Sequence, residues 1–224
     1  MRNELMVDGL VITTDNSATI GEKPHDIVHV PDEIAAKFAA RVALAEQWAA
    51  GGEAIAILLH NFSGEFQWPR YVSGITQLFS ELDMPVPPVS GSTESNMETL
   101  QSALAVTIIG RKIRMLADPH ELEWFIYGEP LVGEAVINHP ERIADLRIVK
   151  SALDRDQIER IWPIGSGGIE REAAKLFGRP MPLAQGISKE ASGGPATCLL
   201  IGVNKYKVEE AKRLFGRQFR ELIE

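Results

Sequence analysis

Between residues 10 and 23 the chain reads LVITTDNSATIGEK, an apolar strand from Leu10 to Thr14 that ends in a carboxylate, Asp15. The residues beside it are small enough for another molecule to approach the backbone. Asp, Asn, Ser and Gly also favour turns, so the plain reading is a strand-ending turn. A second stretch of the same kind, VSGSTESN at residues 89–96, reads as a loop beside a buried strand. It offers Gly91 for close backbone approach, hydroxyls at Ser92 and Thr93, a carboxylate at Glu94 and an amide at Asn96. If the two loops converge, Asp15 and Glu94 supply hard oxygen ligands to Mg²⁺. That ion takes one or two carboxylates and completes its octahedron with phosphates and water. Lys23 and backbone amides then neutralise the remaining phosphate charge.

His60 ends a buried apolar run and leads into Asn61-Phe62-Ser63-Gly64, and ligands of α/β sheets collect at strand ends. A histidine satisfied by backbone hydrogen bonds is the competing reading. HDIVH, residues 25–29, puts two histidines on one strand face without an evident third metal ligand. IGSGGIE, residues 164–170, places three glycines before a helix, as an anion-binding amide cluster or simply a helix-starting turn. Walker A, nucleophile-elbow and zinc-protease motifs are absent.

The elements that must position these residues follow from periodicity. Asp32 is placed to cap a helix running to about Ala50, with Ile34, Phe38, Val42, Ala45 and Trp48 as its buried stripe and Gly51-Gly52 as its stop. AIAILLH, residues 54–60, is apolar on both faces and reads as a strand buried from both sides. A second helix carries Pro69 in its first turn and Tyr71, Ile75, Leu78, Phe79 and Leu82 as its stripe. The proline-rich stretch from Met84 cannot be regular helix, and residues 103–110 read as a further strand. In the second half, residues 123–128 and 198–203 read as strands and IEREAAKLFG as a helix. The C-terminal VEEAKRLFGRQFRELIE reads as one helix, with Val208, Ala211, Phe215, Phe219 and Leu222 on a single face. The polar segment Leu116–Glu121 is the expected boundary, giving units 1–116 and 117–224.

The chain of 224 residues is 45% hydrophobic and 24% charged, a composition that supports a folded core. Its net charge of −8 argues against nucleic acid or an anionic membrane as a partner. The single cysteine, Cys198, excludes an intramolecular disulfide and a Cys-based zinc site. Without a signal-like start or an apolar run of about 20 residues, the expectation is a cytoplasmic protein.

Three passages are similar to the aminoimidazole ribonucleotide synthetase-like superfamily, which includes thiamine monophosphate kinase and selenophosphate synthetase. LVITTD resembles the family strand that ends in a metal-binding aspartate. ARVALAEQWAAGGEAIAILL resembles the helix, glycine stop and strand that follow. PPVSGSTESNMETLQSALAVTIIGR resembles the family's Gly-Gly-Asp-Thr loop and next strand, the four positions reading here Gly91-Ser92-Thr93-Glu94. The family's upstream Gly-Asp-Asp segment has no counterpart ahead of Asp15. Within the superfamily, DNSATIGEKPHD, FAARVALAE and LLHNF are similar to the α-ribazole kinase of cobalamin salvage.

The resemblance implies a two-domain α/β fold with a shortened second domain. It also implies an ATP- and Mg²⁺-dependent kinase acting on the 5′ hydroxyl of α-ribazole, and a homodimer whose nucleotide site lies at the interface. On that reading Asp15 and Glu94 hold metal. Lys23, Gly91, Ser92, Thr93 and Asn96 contact the nucleotide, and Asp26 or His60 orients or deprotonates the acceptor. A non-catalytic nucleotide-binding member and an ATP-dependent synthetase with a phosphorylated intermediate remain the alternatives.

Overall fold

The computed structural model describes residues 4–186 and 188–223, and the chain divides between Arg114 and Met115 into two compact units. In the first, β1 (Leu5–Val7) and β2 (Leu10–Ala18) form a hairpin across Asp8 and Gly9. Both turn residues have positive φ, 48° and 77°, as tight hairpins demand. Two short paired segments follow, β3 (Ile20–Gly21) and β4 (Val28–His29). Then come α1 (Asp32–Ala49), β5 (Gly52–Asn61), α2 (Trp68–Glu81), β6 (Val89–Thr93) and β7 (Ala103–Lys112). The main sheet has the order β1-β2-β7-β5-β6; β6 runs parallel to β5, and every other neighbour is antiparallel.

Alternation along the strands puts Val11, Leu104, Val106, Ile108, Ile57 and Leu59 in the core beneath α1. Thr13 joins them, its hydroxyl donating to the Ala43 carbonyl at 2.8 Å. The fully buried positions of α1 are mostly alanines (Ala36, Ala40, Ala43, Ala45), whereas Ile34, Phe38 and Val42 of the expected stripe are only half-buried. Small side chains let α1 lie close between the sheet and α2. Gly74 of α2 extends the same logic, because a Cβ there would overlap the backbone of Glu33. Gln47 reaches from α1 into the sheet, its amide nitrogen donating to the Val11 and Ile108 carbonyls at 2.7 and 2.8 Å.

Several expectations require correction. The strand carrying Asp15 runs on to Ala18, because it stays paired with β7 as far as Ala103. Asp32 is the first residue of α1 rather than its cap, and one carboxylate oxygen instead accepts from the Glu22 amide at 3.2 Å. The glycine–serine stretch after Pro88 begins as edge strand β6, since Gly91 permits an approach to the Leu59 carbonyl that any Cβ would block.

The second unit contains β8 (Glu123–Gly128), α3 (Glu134–Asn138), α4 (Leu146–Asp154), β9 (Arg160–Pro163), α5 (Gly168–Phe177), β10 (Cys198–Val203), α6 (Val208–Phe215) and β11 (Phe219–Glu221). Its antiparallel sheet has the order β11-β8-β10-β9, interleaving two β–α–β units. One core joins Trp124, Ile126, Trp162 and Leu200 to Ile169, Leu176 and Phe177. A second aromatic group stacks Phe125 on Phe219 at 4.3 Å and Phe215 on Phe219 at 4.8 Å. The C-terminal helix therefore ends where sequence periodicity would continue it. Gly216, at φ 66°, turns the chain back so that Phe219 is buried from β11 and Leu222 from the bend that follows it.

Candidate functional site at the sheet end

The carboxyl ends of β2, β5 and β6 and the start of β7 lie along one end of the first unit's sheet, where Ala18 pairs with Ala103, and Asn61 with both Leu104 and Thr93. The loops after β2 and β6 are joined there. Lys23 donates its ammonium to the Thr99 carbonyl and hydroxyl at 2.7 and 2.9 Å. Gln101 donates to the His25 carbonyl at 2.6 Å, and the Thr19 amide to the Ser102 carbonyl at 2.8 Å. Asp26 is buried at their centre. It accepts from the Ser102 amide and hydroxyl, both at 2.7 Å, and from the Lys23 amide at 2.8 Å.

The loop after β5 completes the platform. The Thr99 hydroxyl donates to the Phe62 carbonyl at 3.0 Å, and Ser63 bonds Tyr71 at 2.8 Å and the Ala103 amide at 2.9 Å. Burial pushes the Tyr71 phenol up to about 12, so it acts here only as a neutral hydrogen-bonding group. Asn61 donates to the Gly64 carbonyl at 2.7 Å and to the Thr93 hydroxyl at 3.2 Å. Beneath the platform Arg70 pairs with Glu22 and, at 3.2 Å, with Glu33.

The two loops thus converge, though the proposed site residues do not all meet. Lys23, Asp26, Thr93, Glu94 and Asn96 belong to the platform or border it. Glu94 accepts from the Asn96 and Met97 amides at 2.7 and 3.2 Å, which holds its carboxyl below the usual range. His60 and Ser92 lie in one cross-strand row with Asn16 and Ala105, on the face opposite Val106 and α1. Gly91 sits inside β6.

Asp15 stands apart. It pairs with Val106 on the face toward α1, three strands from β6. Burial is the main cause lifting its carboxyl from 3.8 to about 7; the Glu46 carboxylate adds to the rise and the Asn16 amide opposes it. Three inter-strand spacings amount to ~14 Å, so within one chain Asp15 and Glu94 cannot ligate the same Mg²⁺. Among the described residues no group of three or more His, Cys, Asp or Glu is arranged to hold a metal. One chain therefore offers a given Mg²⁺ at most one of these two carboxylates.

The sequence did not single out Thr99, Gln101 or Ser102, and gave Tyr71 only as part of a helix stripe, though all four build the platform. The only signal of the first three is a run of hydroxyl and amide side chains, TLQS, just before β7. Of the other candidates, His25 and His29 are exposed, and Gly168 starts α5 at φ 77° where a Cβ would crowd the Lys189 carbonyl. Cys198 is buried, which pushes its thiol up to about 12 and leaves it unreactive. No helix of the described residues is long and apolar enough to cross a membrane.

No protein-family model matches this sequence, and neither does any curated protein. Solved structures do. The hydrogenase maturation protein HypE matches with a TM-score of 0.65 at 11% identity, over 97% of this chain and 80% of HypE. Thiamine monophosphate kinase (ThiL) from Aquifex aeolicus matches at 0.61 and 17% identity, over 97% of this chain and 84% of the kinase. Thermotoga maritima PurL complexed with AMPPCP matches at 0.59 and 11% identity, over 100% of this chain and 42% of PurL. Similar structures also include HypE in complex with ATP and the Aquifex kinase with AMPPCP and TMP. Over nearly its whole length the chain has the aminoimidazole ribonucleotide synthetase-like fold.

Proposed function

We propose that this chain is an ATP-dependent kinase for a small nucleoside-like alcohol, with the 5′ hydroxyl of α-ribazole as the favoured acceptor. The observation that carries the reading is the joined pair of loops at the carboxyl ends of β2 and β6, in a fold whose solved examples include ATP- and AMPPCP-bound proteins. Phosphoryl transfer asks chiefly for positioning and charge neutralisation, which a rigid platform can supply. In this reading Gly91, Ser92, Thr93 and Asn96 border the nucleotide and Lys23 contributes positive charge. His60, in the row of Ser92, accepts the proton of the acceptor hydroxyl. Asp26, whose carboxylate already takes three hydrogen bonds, positions the loops. No step uses a metal held jointly by Asp15 and Glu94 of one chain. The resemblance in sequence adds a homodimer.

Incubation with γ-labelled ATP and, separately, α-ribazole, thiamine monophosphate and common nucleosides tests the reading. Label on an acceptor hydroxyl, with a dimeric mass by light scattering, is the expected result. Label on an acyl or imino group would make the protein a synthetase. ATP binding without transfer to any acceptor would favour the non-catalytic alternative, toward which the separation of Asp15 from Glu94 points.

A further inference from the structure

Large apolar side chains are exposed on the loops after β5 and β6. Phe62 and Phe66 in the loop after β5 are 49% and 88% exposed; Met97 and Leu100 in the loop after β6 are 73% and 66% exposed. Their backbones are fixed. The Phe62 amide donates to the Ala103 carbonyl at 3.0 Å and its carbonyl accepts from Thr99, which stands between Met97 and Leu100 in the chain. Phe66 lies in a 3₁₀ turn, Glu65–Gln67, closed by Gln67 donating to the Gly64 carbonyl at 3.3 Å. Among the described residues neither phenylalanine packs on another aromatic ring. Apolar groups left in water on a hydrogen-bonded backbone at a strand end mark a surface built to be covered.

The surrounding charge narrows what covers it. Glu65, Glu94 and Glu98 border the four residues in sequence. That balance disfavours an anionic ring, a nucleic acid or an anionic membrane. We infer that Phe62 and Phe66 form a stacking subsite for a planar, neutral or cationic nitrogen heteroaromatic ring on the acceptor, with Met97 and Leu100 as its apolar border. The inference rests on the kinase reading for the word acceptor, and on the exposed side chains alone for the ring. Aromatic faces stack such rings without reading their edges, and loss of one stacking partner typically weakens binding by about 5- to 100-fold.

The test is calorimetric titration, without ATP, of benzimidazole riboside, of ribose, and of a benzimidazole carboxylate into the wild type, Phe62→Ala and Phe66→Ala. Circular dichroism and thermal melts establish that each variant is folded; Phe66, being almost fully exposed, is the safer of the two. Tight binding of the neutral riboside, with ribose and the carboxylate much weaker and each substitution costing about 5- to 100-fold, is the expected result. Equal affinity of both variants and wild type for the riboside overturns the subsite. So does a self-association lost in Phe66→Ala while riboside affinity is unchanged, which would make the patch an interface between copies. Phenylalanine-dependent binding without any ATP-driven transfer would retain the subsite and defeat the kinase reading. Transfer to ring-less alcohols as efficient as to the riboside would do the reverse.

Discussion

Replacing Asp15 by Asn should raise stability at pH 8 and leave it nearly unchanged, relative to wild type, near pH 4. Burial beneath α1, with Glu46 beside it, makes the Asp15 carboxyl titrate near 7 in the fold against 3.8 for a free side chain. The folded form holds the proton more tightly than the unfolded chain does. The penalty is therefore absent below pH 3.8, grows between 3.8 and 7, and is complete above 7. At its limit it is ~4 kcal/mol, and adjustment of the surroundings brings a realistic figure to ~2 kcal/mol. For a protein of this size that corresponds to a gain of about 4–8 °C in Tm at pH 8. Scanning calorimetry of both proteins at pH 4, 6 and 8 measures it, with the transition of the first unit compared throughout. A Tm difference that does not change with pH, or an Asn variant less stable at pH 8, would refute the assignment of a buried, proton-holding carboxyl.

Gly91→Ala should lower stability by at least ~2 kcal/mol, because its Cβ would overlap the Leu59 carbonyl and push β6 from β5; denaturant melts measure it, and a loss below ~0.5 kcal/mol would mean the two strands separate easily. Asp26→Asn turns one acceptor oxygen into a donor facing the Ser102 and Lys23 donors, so it should cost ~2 kcal/mol. Amide hydrogen exchange should then quicken in residues 19–27 and 96–102 and not in α2; uniform quickening would contradict a local clamp.

The first unit was readable because its elements obey simple periods. Val11 and Thr13 alternate with Ile12 and Thr14, and Tyr71, Ile75, Leu78 and Phe79 recur at helical steps. The C-terminal segment misled for a physical reason. Phe215, Phe219 and Leu222 bury equally well from a helix or from a helix, glycine turn and strand, and only the free edge of β8 decides between them. At the candidate site, the convergence of two loops could be anticipated from their small and polar residues. Which of them would meet could not. Asp15 is parted from Glu94 by β7 and β5, a matter of strand order, and strand order is set by pairing between segments distant in the chain. Asp26 and Ser102 are found only as a pair, since neither is distinctive without the other.

The three bonds Lys23–Thr99, His25–Gln101 and Asp26–Ser102 each join residues 76 apart in the chain. Bringing such a loop together costs about (3/2)RT ln 76, or ~4 kcal/mol plus a constant, before any contact rewards it. The first of the three to form bears that cost, and the other two then close at almost none. Assembly of the platform is accordingly close to all-or-none. On a chain emerging from the ribosome it must also wait until Ser102 is free to meet Asp26. The helices and the β1–β2 hairpin can form well before then, so the surface where chemistry is proposed takes shape late, together with the β7 strand that follows Ser102.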